Sequence, residues 1–191
     1  VFTGIDENIR EFIEAQPMFF VGTAPSGPDG LVNVSPKGYR DCFAVLDDHT
    51  VAYLDLFGSG AETIAHLRQN GRIVLMFCSF TRNSRILRLH GHGRVLRADD
   101  PEFAALAPRF NLEHPGLRSI ILIDVERVSD SCGFAVPYMD LVDERPVLDK
   151  LHSTRTPDEW AKRVNGVNAK SLDGLPALEP DHPLPTSVPR G

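Results

Sequence analysis

The segment from Tyr53 to Thr63 reads as a strand, a turn and the start of a helix, and it holds the best candidate for binding chemistry. A helix N-terminus presents unpaired backbone amides and the positive end of the helix dipole, and both favour an anion. In Gly58-Ser-Gly-Ala-Glu-Thr63 the glycines let a ligand approach the backbone, while Ser59 and Thr63 add hydroxyls. Together these make a phosphate cradle. Glu62 opposes an anion by its charge; it has capping-box spacing from Ser59, and it could instead touch a ligand hydroxyl. Taken alone, the motif is first read as ordinary helix capping. A second cluster is Val34-Ser-Pro-Lys-Gly38, where Pro36 removes one amide, Gly38 frees the backbone and Lys37 projects a positive charge. Standing alone, Lys37 is first read as a solvated surface lysine.

Other chemistries find less support. His90 and His92 sit two apart on a strand and so share a face. Two imidazoles could hold a metal, but no third ligand stands at suitable spacing, and a solvent-facing barrel wall accounts for them. His49, His66, His114, His152 and His182 lie in polar surroundings and carry no argument for catalysis. No GxSxG elbow and no GxxxxGK[ST] loop is present, and Gly58-Ser-Gly60 is a fragment of a dinucleotide fingerprint outside any βαβ unit. Cys42, Cys78 and Cys132 form no CxxC pair, so neither a zinc knuckle nor a disulfide framework is expected. No catalytic residue and no metal is assigned.

These residues must be positioned by a chain of 191 residues, 42% hydrophobic, with a formal charge of −6. That acidity argues against a nucleic-acid partner. Residues 82–97 gather five arginines, read as a strand with a charged outer face or as a local anion site. No apolar run approaches the roughly 20 residues of a membrane span. No N-terminal signal segment is visible, and the free cysteines suit a cytoplasmic protein.

Ile5, Ile9, Phe12 and Ile13 mark an amphipathic helix ending before Pro17. Strands are expected at 18–24, 31–35, 42–46, 51–56, 72–80, 85–97 and 119–128. One helix follows Ser59 and stops at Asn70-Gly71, and another covers about 101–107. Gly91 and Gly93 allow a bulge or sharp coiling in the long strand. Residues 140–151 and 156–164 look helical, with Pro146 breaking the first, and 180–191 form a Pro-rich tail that is extended or loose. Six or seven strands with few helices predict a mainly β, α+β barrel rather than a doubly wound sheet. One domain over 1–179 is expected, with 140–179 a helical cap.

The order of these pieces resembles the pyridoxamine 5′-phosphate oxidase-like family of FMN-binding proteins. The matching runs are Leu31-Val-Asn-Val-Ser-Pro-Lys-Gly38, Val51-Ala-Tyr-Leu-Asp55, Gly58-Ser-Gly-Ala-Glu-Thr63, Asn70-Gly-Arg-Ile-Val-Leu-Met-Phe77 and Arg85-Ile-Leu-Arg-Leu-His-Gly91. Ser131-Cys-Gly-Phe-Ala-Val-Pro137 and Asn168-Ala-Lys-Ser-Leu-Asp-Gly-Leu-Pro176 resemble one branch of that family, known only as oxidase-like. The resemblance implies a six-stranded antiparallel split β-barrel, paired as a homodimer with FMN in the interface. It places Ser35, Pro36, Lys37 and Gly38 near the flavin. Asp55, Ser59, Gly60, Glu62 and Thr63 fall where phosphate and ribityl chain are held. Arg82 and Arg85 would complete phosphate binding, and Asn168, Lys170 and Ser171 would cap the flavin.

Departures from the pattern bear on activity. The Arg-x-x-Leu-Leu-Lys run of the true oxidases keeps only Lys37 here. Their Ser-Arg-Lys becomes Ala61-Glu-Thr63, and their Arg-Gln-Val-Arg becomes Arg85-Ile-Leu-Arg88. The expected function is an FMN-dependent oxidoreductase acting on a small molecule other than a B6 vitamer, with NADH or NADPH as electron donor. A non-enzymatic flavin binder is the alternative, as is a split barrel using deazaflavin or haem.

Overall fold

A computed structural model describes residues 1–110 and 112–185. Helix α1 (Glu7–Glu14) starts where the Asp6 carboxylate accepts from the Ile9 amide at 2.8 Å. It buries Ile9, Phe12 and Ile13, the stripe expected from their spacing. Seven strands follow: β1 (Phe19–Thr23), β2 (Asn33–Lys37), β3 (Phe43–Val45), β4 (Thr50–Leu56), β5 (Arg72–Cys78), β6 (Arg85–Leu96) and β7 (Leu117–Cys132). They form one curled sheet in the order β2-β1-β5-β6-β7-β4-β3, antiparallel throughout. This is the expected α+β split barrel, with seven strands rather than six because β3 adds a short edge strand beside β4.

The curl has a local cause. The β6–β7 register slips between His90 and Gly91, so that Gly91 faces Val125 after His90 faces Arg127. A Cβ on Gly91 would lie 2.0 Å from the Asp124 carbonyl oxygen. The bare glycine lets β7 close over β6, as a barrel wall requires.

The concave face carries the main core, with Val21, Tyr53, Leu75, Leu87, Leu89 and Ile121 among its most buried members. Helix α2 (Glu62–Asn70) and α1 close it. Gly71 ends α2 at φ +71°, the left-handed cap expected of Asn70-Gly71. Helix α3 (Pro101–Leu106), capped by Asp100, adds a smaller apolar layer in which Phe103 meets Leu54, Ile120 and Leu122. Helices α4 (Val147–His152) and α5 (Pro157–Asn165) complete the set; α5 carries the Thr156–Glu159 capping box. Trp160 and Val164 of α5, with Ala177 and Leu178 beyond it, join the main core.

Three local expectations are corrected. Ser59 and Glu62 form no capping box: α2 begins at Glu62 with Ala61 as N-cap, and no side chain caps it. The helix expected over 140–151 is confined to Val147–His152, because the residue before Pro146 is disfavoured from helical geometry. The Pro-rich tail is docked through its described part, with His182 buried and Asp181 3.2 Å from Arg97. Its residues 186–191 lie outside the described residues.

His152 is only 3% exposed and tilts against the Trp160 ring at 5.0 Å. Burial, reinforced by Arg155 and Arg163, pushes its imidazole down to about 4. An unfolded histidine titrates near pH 6.5, so between about pH 6.5 and 4 the unfolded chain binds a proton that the folded chain refuses. Stability should therefore be full above pH 6.5 and decline as pH falls towards 4. Urea unfolding at pH 7.5 and pH 5 reads this slope, and His152→Leu should flatten it. His66 and His182, also lowered by burial, leave some slope in place. An unaltered slope in His152→Leu would clear His152 of the effect.

Candidate functional site

Asp55 interrupts the apolar run of β4 and is wholly buried. A carboxylate there needs partners, since an unpaired buried charge is very costly. The β4–β7 register places it opposite Ser119, beside Arg118. Arg118 grips it with two bonds, Nε to Oδ2 at 2.6 Å and Nη2 to Oδ1 at 3.1 Å. The Ser119 hydroxyl donates to Oδ2 at 3.1 Å, and Lys37 Nζ stands 3.7 Å from Oδ1. Burial alone would raise the Asp55 carboxyl; Arg118 and Lys37 outweigh it and hold the group below its usual range. Burial lowers the Lys37 ammonium, against the pull of Asp55. Two cations thus share one carboxylate, which leaves a positive surplus.

That surplus lies under the turn into α2. Arg118 Nη1 donates to the Gly60 carbonyl at 3.0 Å and to Asn168 Oδ1 at 3.2 Å. Asn168 Nδ2 donates to the Gly58 carbonyl at 3.4 Å, and Arg163 donates to the same oxygen. The backbone oxygens of the turn are therefore engaged from within, while Ser59 remains exposed. A Cβ at Gly38 or Gly58 would meet nothing within 4 Å, so both glycines border open ground. His182 closes the other side, donating through Nε2 to the Arg118 carbonyl at 2.9 Å.

A polar chain ties β2 to α2. The Ser35 hydroxyl donates to Asn33 Oδ1 at 2.9 Å, and Asn33 Nδ2 donates to Thr63 and Thr23 hydroxyls at 3.3 Å each. Thr23 Oγ1 lies 2.9 Å from His66 Nδ1. Glu62 accepts from the Leu172 amide at 3.1 and 3.2 Å, so its charge anchors the C-terminal segment.

Within one chain the fold brings together Lys37, Asp55, Gly60 and Asn168 through Arg118, and Ser35 and Thr63 through Asn33. Pro36 and Gly38 lie on the exposed side of β2 and its end, and Lys170 is exposed with a backbone bridge to Pro176. The Ser171 hydroxyl accepts from the Leu175 amide and shapes its own loop. Arg82 and Arg85 are not brought to this cluster. Arg85 pairs with Cys132 at the far end of β7 from Ser119, ion-pairs with Asp130, and lies over the Phe2 and Phe12 rings. Arg118 and Arg163 were not singled out from sequence.

A curled antiparallel sheet with a cationic cluster at one strand–turn–helix junction defines the class as split-barrel proteins. Residues 5–132 match the profile of the pyridoxamine 5′-phosphate oxidase family. The pyridoxamine 5′-phosphate oxidase family protein ustO of Aspergillus flavus is 41% identical over 192 residues, covering 93% of this chain and 77% of that protein. The chain belongs to this family. Among solved structures, HupZ of Group A Streptococcus aligns with a TM-score of 0.53 at 18% identity, covering 71% of this chain and 99% of HupZ. A variant of HupZ aligns with a TM-score of 0.53 at 21% identity, over 66% of this chain and 99% of its own. Both support the fold alone. Among the described residues, no helix is long and apolar enough to cross a membrane.

Proposed function

We propose that this chain binds FMN at a homodimer interface and acts as an oxidoreductase on a small molecule, with NADH or NADPH as electron donor. The observation that carries the reading is the junction at Gly58–Thr63. An uncapped helix start and an open glycine backbone lie beside the positive surplus of Lys37 and Arg118. That combination fits a phosphate monoester: amides and dipole face it, and the cations are already desolvated. The residues present therefore suit the phosphate end of FMN. Ser35 and Thr63 supply hydroxyls for the ribityl chain, while Asn168 and the Lys170–Ser171 loop cover it.

When bound, FMN supplies hydride or electron transfer between donor and substrate. The chain's part is to grip the phosphate, orient the ring and exclude water.

The homodimer rests on exposed apolar surface. Leu31, Val32 and Val34 are 54, 71 and 66% exposed on and before the edge strand β2. A second copy would bury them, and an isologous pair is the commonest arrangement. In such a pair Arg82 and Arg85, remote from their own chain's cluster, are offered to the partner's flavin.

Titration of the purified chain with FMN, followed by flavin fluorescence, tests the reading. Saturable binding is expected. Lys37→Ala should weaken it about 10- to 100-fold, the worth of one charge-assisted hydrogen bond of roughly 1.5–3 kcal/mol. Because Asp55 keeps Arg118, that variant should remain folded. A chain that leaves added FMN unbound would overturn the proposal, and unchanged affinity in Lys37→Ala would remove the lysine from it.

A further inference from the structure

The short 3-10 turn Arg40–Cys42 faces the loop that leads into β7. There a second cluster forms that the flavin reading does not use. His114 is buried, with Nε2 3.2 Å from Asp41 Oδ1 and Nδ1 2.9 Å from Asp149 Oδ2. The Cys42 thiol is buried beside them, and one ligand atom each from Asp41, Cys42 and His114 lies within 4.8 Å of the others.

We propose that Asp41, Cys42 and His114 form a binding site for a zinc-type divalent metal, with Asp149 orienting the histidine.

Three features carry this. The first is the ligand set: thiolate, imidazole and carboxylate together select zinc or a similar metal, whereas magnesium and calcium take oxygen ligands. The second is the histidine's setting. Metal-bound histidines hold their second ring nitrogen on a carboxylate, which fixes tautomer and orientation. Asp149 does this for Nδ1 and leaves Nε2 to face Asp41 and Cys42. The Tyr39 ring stacks on the imidazole at 5.0 Å and 17°, which fixes its plane. The third is the thiol. Cys42 is 3% exposed and carries no disulfide. Asp41, Asp149 and Glu144 border the cleft beside it. Three carboxylates around a buried thiol create a field that a dication complements. On binding, Cys42 releases its proton to solvent and ligates as thiolate.

Three protein ligands leave a fourth position, and Asp41 and His114 line a polar cleft together with Glu113, Glu144 and Pro146. Water or an exogenous ligand would complete a tetrahedral site. The proposal is independent of FMN.

Metal titration of the chelator-treated full chain tests it, with Zn²⁺ by calorimetry and Co²⁺ by absorption. One equivalent of each is expected, with Co²⁺ giving a thiolate charge-transfer band and the intense visible bands of tetrahedral coordination. Cys42→Ser should remove the charge-transfer band. Asp149→Asn should lower zinc affinity about 10- to 100-fold. If Cys42→Ser does not fold, His114→Gln, checked by circular dichroism, should abolish the tetrahedral bands instead. Absence of saturable binding would overturn the site. So would weak octahedral Co²⁺ bands without charge transfer, or binding unaffected by both ligand substitutions.

Discussion

Exchanging Asp55 for asparagine should destabilise the fold by about 3–5 kcal/mol, the cost of removing one partner from a buried ion pair. Asparagine keeps the shape but turns one acceptor into an N–H donor facing the donors of Arg118 and Ser119, so the loss combines charge and hydrogen bonding. Arg118, 4% exposed, would be left with carbonyls only, and Lys37 with no counter-ion in the cluster. Urea unfolding of Asp55→Asn at pH 7 measures the effect. Replacing the pair together, as Asp55→Asn with Arg118→Met, should restore part of the loss, because an apolar side chain does not leave a stranded charge. The acid limb gives a second reading. The Asp55 carboxyl sits below its ordinary value of 3.8, so its contribution is present above that pH and is lost as pH falls through the folded value. Asp55→Asn should therefore be flatter than the parent protein below pH 4. A loss under 1 kcal/mol would mean that water, not Arg118 and Lys37, balances this carboxylate.

The same residue shows what the sequence made legible. Val51-Ala-Tyr-Leu-Asp-Leu-Phe57 is apolar except for Asp55, and a carboxylate in such a run demands a buried cation. Family position made Lys37 readable as a basic residue near the flavin, but not as the partner of Asp55, which only the structure shows. Arg118 was not readable at all, because it opens a run of β-branched residues where an arginine looks like a solvated strand end. The signal exists all the same: Asp55 is the one charge in β4, and Arg118, of opposite sign, stands just before the apolar stretch Ile120–Ile123 of β7. Pairing β4 with β7 requires strand order, and sequence period gives strands but not neighbours. β4 and β7 are separated by sixty residues and two other strands, and only closure of the sheet sets Asp55 against Ser119. Helix ends behaved likewise. Gly71 and Thr156 act through local geometry and were readable. Ser59 has the right spacing from Glu62, but Glu62 goes to the Leu172 amide, a contact set by the distant C-terminal segment.

Gly91→Ala should cost about 3 kcal/mol, the upper end of ordinary overpacking. The new Cβ would lie 2.0 Å from the Asp124 carbonyl oxygen and 2.9 Å from its carbon. Neither is a side-chain tip that can turn aside; both belong to β7, which is held by β6 on one edge and β4 on the other. Relief requires opening the bulge that curls the sheet, so the near-ultraviolet circular dichroism of the barrel aromatics should change with stability. Gly58→Ala is the control, since a Cβ there meets nothing within 4 Å. Its stability should stay within about 1 kcal/mol, the scale of glycine's backbone entropy. Its FMN affinity should fall, because the methyl would occupy the ground left for the phosphate. Equal destabilisation by the two substitutions would mean that the β6–β7 closure relaxes freely. Unchanged FMN binding in Gly58→Ala would move the phosphate off this turn. The two glycines thus separate the backbone that builds the barrel from the backbone that meets its ligand.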